Sequence, residues 1–184
     1  MIKTLNLDIE CMEQTINLTQ PQTEAIATMY TMLASSFPSF NYDYDSAQFN
    51  IWKLTFTKYA PEAIIKVAEQ IPTLRRSNGL PYDFPPSLPV VADMIMRESI
   101  VLMGHSDHDK AYERLFKFKR KTPAERAETG DNFVYTLYRQ LNRYMAMDAE
   151  KFRPIFTREY LKLADGVTKG TMMLDEIPLA IESK

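Results

Sequence analysis

Between Ile26 and Arg97 the chain sets apolar residues three or four apart and interrupts them with proline and Asn-Gly, which confines it to short helices packed against one another. Ile26, Met29, Tyr30, Leu33 and Phe37 fall at i, i+3, i+4, i+7 and i+11, one face of a helix over 22–37. Pro21 suits its first turn, and Pro38 ends it because the residue before a proline is pushed out of the α region. Asp45 with Gln48 has the form of a capping box, and Phe49, Trp52, Phe56 and Tyr59 recur behind it on one side, where they read mainly as core. Pro61 opens a third helix carrying Ile64, Ile65, Val67, Ala68 and Ile71, stopped over 75–79 by arginines and Asn-Gly. After the loop YDFPPS, Ser87 is the expected N-cap, and Pro89, Val91, Met94, Ile95 and Glu98 predict a fourth, shorter helix.

The second half repeats the pattern. GHSDHD, residues 104–109, is a polar break that reads as a linker. Ala111 to Phe118 forms an aromatic and basic helix, and Thr122-Pro-Ala-Glu125 is a second capping box. Phe133, Val134, Leu137, Tyr138, Leu141, Tyr144 and Met145 mark another helix face; Asp148 then caps a last helix bearing Phe152, Ile155, Phe156, Leu161 and Leu163, bent early by Pro154. Strand signals are scarce, so the predicted class is all-α. The expected divisions are a weakly ordered arm over 1–20, an N-terminal helical bundle over 21–103, the linker 104–109, a C-terminal helical region over 110–166, and a partly disordered tail over 167–184.

With 184 residues, 45% of them apolar, the chain can bury a core without disulfides or metal. Its single cysteine, Cys11, cannot pair within the chain, and the first residues lack the order of a secretory signal. No apolar run approaches the roughly 20 residues that span a bilayer, so a cytoplasmic protein without a membrane role is expected. A net charge of −2 argues against coating nucleic acid in bulk, though not against a local contact.

Groups able to do covalent chemistry are few. His105, Asp107, His108 and Asp109 resemble a metal box, but the flanking Gly104 and Ser106 favour a solvated linker, and no cysteine or further histidine completes a tetrahedral site. No GxxxxGK[ST] loop exists to cradle a nucleotide phosphate, and glycine is too rare for a dinucleotide fingerprint. The chain is therefore expected to hold no catalytic residue, metal or cofactor and to work through its surface. Lys117, Lys119, Arg120 and Lys121 alternate with Phe116 and Phe118, a composition able to touch single-stranded DNA; the plainer reading puts Tyr112, Leu115, Phe116 and Phe118 in a core with the cations at a helix C-terminus. Met172, Met173, Leu174, Ile177, Leu179 and Ile181 interleave with acids in the tail, which either packs back on the domain or orders on a partner.

With these residues in view, 29–96 resembles the N-terminal module of phage helicase loaders. The shared features are a helix ending in Phe37-Pro38, a helix with a central Trp52, the segment EAIIKVAEQI, and FPPSLPVVADMI from Phe84 to Ile95. A second stretch, 133–178, resembles the later part of lambda-type replication protein P through VYTLYRQLNRYM, FTREYLKLADGVTKG and DEIP. The resemblance implies a non-ATPase adaptor for DNA replication in the cytoplasm of a phage host. Such an adaptor binds the host's replicative hexameric helicase and helps load it at the origin through an initiator protein, the N-terminal module facing the initiator. The helicase-binding residues it suggests are Tyr135, Tyr138, Arg139, Tyr144, Phe156, Tyr160, Leu174, Ile177 and Leu179. The chain is shorter than lambda-type protein P around 98–132. The alternative reading is a phage assembly chaperone or another helical interaction module without catalytic activity.

Overall fold

The computed structural model describes residues 18–40, 47–75, 79–80, 82–122, 125–126, 128 and 130–178, with the backbone alone at position 48. Residues 1–17 of the arm expected over 1–20, the Asp45 cap and the end of the tail, including Leu179 and Ile181, lie outside the described residues, while Thr19 and Gln20 belong to the first helix as its N-cap and first residue. Within them the fold is all-α: α1 Gln20–Ser36, α2 Ala47–Phe56, α3 Pro61–Gln70, α4 Leu88–Leu102, α5 His108–Arg120, α6 Asn132–Leu141 and α7 Ala149–Thr168, with 3₁₀ turns at Ile71–Thr73 and Asn142–Tyr144.

Local chemistry sets most of these boundaries. Thr19 and Gln22 form a reciprocal capping box at the start of α1, with Pro21 in the first turn. Pro61 opens α3 from Ala60, and Ser87 stands at the N-cap of α4 without its hydroxyl reaching a backbone amide. Asp107 caps α5 by accepting from the Lys110 amide at 2.8 Å, and Asp131 caps α6 through the Val134 amide at 3.1 Å. The predicted box at Thr122 is present too: Glu125 accepts from the Thr122 amide and hydroxyl, which together hold its carboxylate below the usual range. Pro154 is accommodated inside α7.

Two helices end in the same way. Gly104 (φ 86°) and Gly170 (φ 67°) adopt the left-handed conformation, and the amides of Gly104 and His105 return to Val101 and Ile100 as those of Gly170 and Thr171 return to Val167 and Gly166. This double bond pattern satisfies the last carbonyls and turns the chain sharply, which a Cβ would resist.

The core is continuous. α1 packs along α3, α3 on α4, α4 on α7, and α7 on α5 and α6, which also pair with each other. Tyr30, Phe40, Phe49, Trp52 and Phe56 interlock edge to face at one end, with ring centroids 4.6–5.9 Å apart. At the other end Tyr112, Phe116, Phe133, Phe152, Phe156 and Tyr160 form a second aromatic cluster. Gln70 on α3 donates to Glu98 on α4, and Lys58 reaches Asp165 on α7.

Two expectations are corrected. α4 has 15 residues against 10 in α2 and α3, so it is not the shorter helix. The apolar pattern seemed to close at Glu98, but Ser99 and Ile100 carry the helix on beneath α7, the Ser99 hydroxyl returning to the Ile95 carbonyl. Gly166 does not end the last helix; it is buried inside α7, where the Met172 side chain occupies the space a Cβ would need. The tail forms no helix over 171–178 and packs back on the domain, one of the two outcomes its sequence left open. The Asp175 amide donates to Thr136 Oγ1 at 2.8 Å, the Ile177 amide donates to Asn132 Oδ1, and Asp175 pairs with Arg139 at 2.8 Å.

Candidate functional site

The GHSDHD segment differs from the solvated linker that its composition predicts. The tight exit from α4 at Gly104 folds it inward, and Ser106 and His108 are buried. Asp131, only 7% exposed, accepts from the Ser106 hydroxyl and from Arg114 Nη1 at 2.8 Å while capping α6 with its other oxygen. Arg114 also reaches Ser106 Oγ at 2.7 Å, and the Tyr160 hydroxyl donates to the Ser106 carbonyl at 3.2 Å. Burial pushes the Tyr160 phenol well above its ordinary value, so it stays a donor.

The histidine pair does not make a metal box. Among the described residues no group of three or more His, Cys, Asp or Glu side chains converges to hold a metal ion. His105 stacks on Phe133 at 5.4 Å. His108 lies between Asp109 Oδ1 at 3.1 Å and Thr157 Oγ1 at 3.0 Å. That Asp-His-Thr order has the connectivity of a charge relay, yet the imidazole is packed against Phe156 and Tyr160, inside the aromatic cluster. Burial lowers its proton affinity; the Asp109 carboxylate opposes this, while the charges of Arg97 and Arg153 add to it. The arrangement joins α5 to α7 and disfavours protonation of His108.

The residues expected to contact a helicase divide by burial. Phe156 and Tyr160 are fully enclosed, at 0% exposure, and are core residues rather than anchors. An aromatic ring presents the same periodicity whether its face meets solvent or another helix, and here that face meets α5 and α6. Tyr135 and Tyr138 are half-buried beside Phe118, and the Arg126 guanidinium lies 4.8 Å over the Tyr138 ring. Leu174 and Ile177 are half-buried against the core within the docked tail, so they are engaged within the chain itself. Arg139 is exposed, and Tyr144 lines a surface cleft. Leu179 lies outside the described residues.

Of the two readings of the KFKRK run, the packing of Phe116 and Phe118 follows the plainer one. Phe118 is buried, and Phe116 is half-buried, packed edge to face with Tyr112 and Phe152. Lys117, Lys119 and Arg120 are exposed in the last turn of α5, where they complement the helix dipole. Lys117 and Lys121 line a small cleft of about 270 Å³ with Arg114, which Lys119 and Arg120 do not enter.

Of the larger clefts missed in the sequence, two have a distinctive lining. One, of about 380 Å³, is lined by Leu74, Tyr82, Phe84, Pro85, Pro86, Val90 and Met94; Phe84 is 72% exposed and Val90 half-exposed. The consecutive prolines Pro85 and Pro86 keep this stretch out of a helix, so the 3.6-residue apolar period that marks the other elements is missing here. The other, of about 480 Å³, lies between the end of α6, the middle of α7 and the tail, and is lined by Gln140, Arg143, Tyr144, Arg158, Glu159, Lys162, Leu163 and Met172. Charge is its distinguishing property. Among the described residues no helix is long and apolar enough to cross a membrane. No family model, no curated protein and no solved structure matches the chain.

Proposed function

We propose that the chain is a non-catalytic adaptor of the phage helicase-loader kind, which binds a replicative hexameric helicase and helps deliver it to an origin through an initiator protein. The observation that carries this reading is the exposed apolar cleft around Phe84 and Val90, most of whose lining falls in the FPPSLPVVADMI segment that resembles those loaders. Apolar surface of that kind, rimmed by polar residues, marks interaction sites on otherwise water-soluble domains. An adaptor of this type needs no hydrolysis of its own. Higher affinity for an opened or constrained helicase ring shifts the ring's population, and a competing component then releases it.

The Phe84 cleft is assigned to the initiator and the exposed part of 133–178 to the helicase. Size-exclusion chromatography of the full chain with a purified hexameric replicative helicase, followed by an ATPase assay of the mixture, tests the reading. A stable complex with altered ATPase activity is expected. Separate elution with unchanged ATPase activity sinks the proposal, and co-purification with a virion structural protein instead favours the assembly-chaperone alternative.

A further inference from the structure

The cleft between α6, α7 and the tail carries an inference that does not depend on the helicase reading. Arg158, Glu159, Lys162 and Leu163 stand on two successive turns of α7 and form one wall. Gln140, Arg143 and Tyr144 form the second, and Met172, seated on Gly166, closes the third. Three cations and one carboxylate border it. Glu159 is already held by Arg158 at 2.9 Å, whereas among the described residues neither Arg143 nor Lys162 has a carboxylate within ion-pair distance. Arg143 lies 4.6 Å over the Tyr144 ring, which directs its guanidinium along the cleft wall. A chain of net charge −2 thus gathers uncompensated positive charge around a floor of Leu163, Met172 and Tyr144.

The neighbouring surface shows what such a place accepts. On the preceding turns of α6, the protein's own segment Leu174-Asp175-Glu176-Ile177 is held with Asp175 on Arg139, two amides on Thr136 and Asn132, and Leu174 and Ile177 packed on the core. We propose that the Arg143–Lys162 cleft is a docking site for an extended acidic peptide of a partner protein, its carboxylates on Arg143 and Lys162 and an apolar side chain on Leu163 and Met172. The observations favour peptide over nucleic acid. The Arg143 guanidinium already covers a face of Tyr144, the cleft's one aromatic ring, so the remaining floor of Leu163 and the Met172 thioether grips an apolar side chain better than a stacked base.

The test uses the full chain and fluorescence anisotropy at low salt. The probe is a fluorescein-labelled hexapeptide alternating leucine with aspartate and glutamate, compared with its asparagine and glutamine counterpart and with a labelled twelve-nucleotide oligo(dT). The acidic peptide should bind about tenfold tighter than the amide peptide, and the Arg143→Glu/Lys162→Glu variant should erase that difference. Lys162→Met, which keeps the side-chain bulk, should lose part of it, and Lys117→Glu, at the end of α5, should leave it unchanged. Equal binding of the two peptides, acidic-peptide binding indifferent to both Lys162 variants, or a preference for oligo(dT) would overturn the proposal. Circular dichroism of each variant excludes unfolding, and Lys162→Met keeps the test decisive if the double reversal does not fold.

Discussion

Replacing Asp131 with alanine should cost much more stability than its position in a Gly-Asp-Asn turn suggests. One carboxylate oxygen caps α6 through the Val134 amide; the other accepts from Ser106 Oγ and from Arg114. Loss of an N-cap is worth about 1 kcal/mol, and stranding the buried Ser106 hydroxyl about 1 more. The ion pair with the half-exposed Arg114 adds about 0.5 kcal/mol, because solvent screens it. The sum is roughly 2.5 kcal/mol, which for a chain of this length lowers the melting temperature by roughly 5–10 °C. Asparagine caps a helix as well as aspartate does, so Asp131→Asn should cost about half as much. Urea unfolding of Asp131→Ala, Asp131→Asn, Arg114→Ala and the Asp131→Ala/Arg114→Ala pair gives the terms, with a coupling of about 0.5 kcal/mol in the cycle. An Asp131→Ala loss under about 1 kcal/mol, or equal losses for alanine and asparagine, would refute the reasoning.

Other perturbations read different parts of the fold. His108 binds its proton less readily folded than unfolded, because it is buried, so its contribution is complete above the ordinary value of 6.5 and is lost as pH falls through the lower folded value. His108→Gln should therefore flatten the loss of stability between pH 7.5 and 5.5, measured by urea unfolding. Gly166→Ala sets a gain of up to about 1 kcal/mol in helix propensity against a Cβ placed 2.5 Å from Met172 Cγ and 2.9 Å from its Cβ. The expected outcome is faster hydrogen exchange at the Asp175 and Ile177 amides with global melting little changed; unchanged exchange there would contradict it. Phe156→Ala should cost about 3–5 kcal/mol and Phe84→Ser no more than about 0.5, and similar losses in the two would show that burial has been misassigned.

Helix spacing made the buried stripes of α1, α3 and α6 legible, because each turns one face to the core, and Pro61 marked the start of α3 directly. Contacts between distant positions left no such trace. Asp131 and Ser106 look like loop residues until α5 brings Arg114 beside them, and Gly166 reads as a stop until Met172 is known to fill its place. Phe84 and Phe156 are the same residue type with opposite surroundings. α7 is covered by α4 as well as by α5 and α6, so its aromatic stripe is core, whereas Phe84 stands in the loop before α4 and is exposed. The Arg143–Lys162 cleft was equally hidden, since its walls come from three separate stretches of chain.

Because α4 lies against α3 and against α7, no slack separates the two ends of the molecule. Its 15 residues span roughly 22 Å, with the Phe84 cleft near its start and α7, which carries Arg158 and Lys162, packed along it. Two molecules seated in the two clefts would be held at a set separation and angle, as on a ruler rather than a tether. Joint engagement then strengthens binding only when the spacing of the partners matches that of the protein, and a partner displaced from that spacing gains nothing from the second contact.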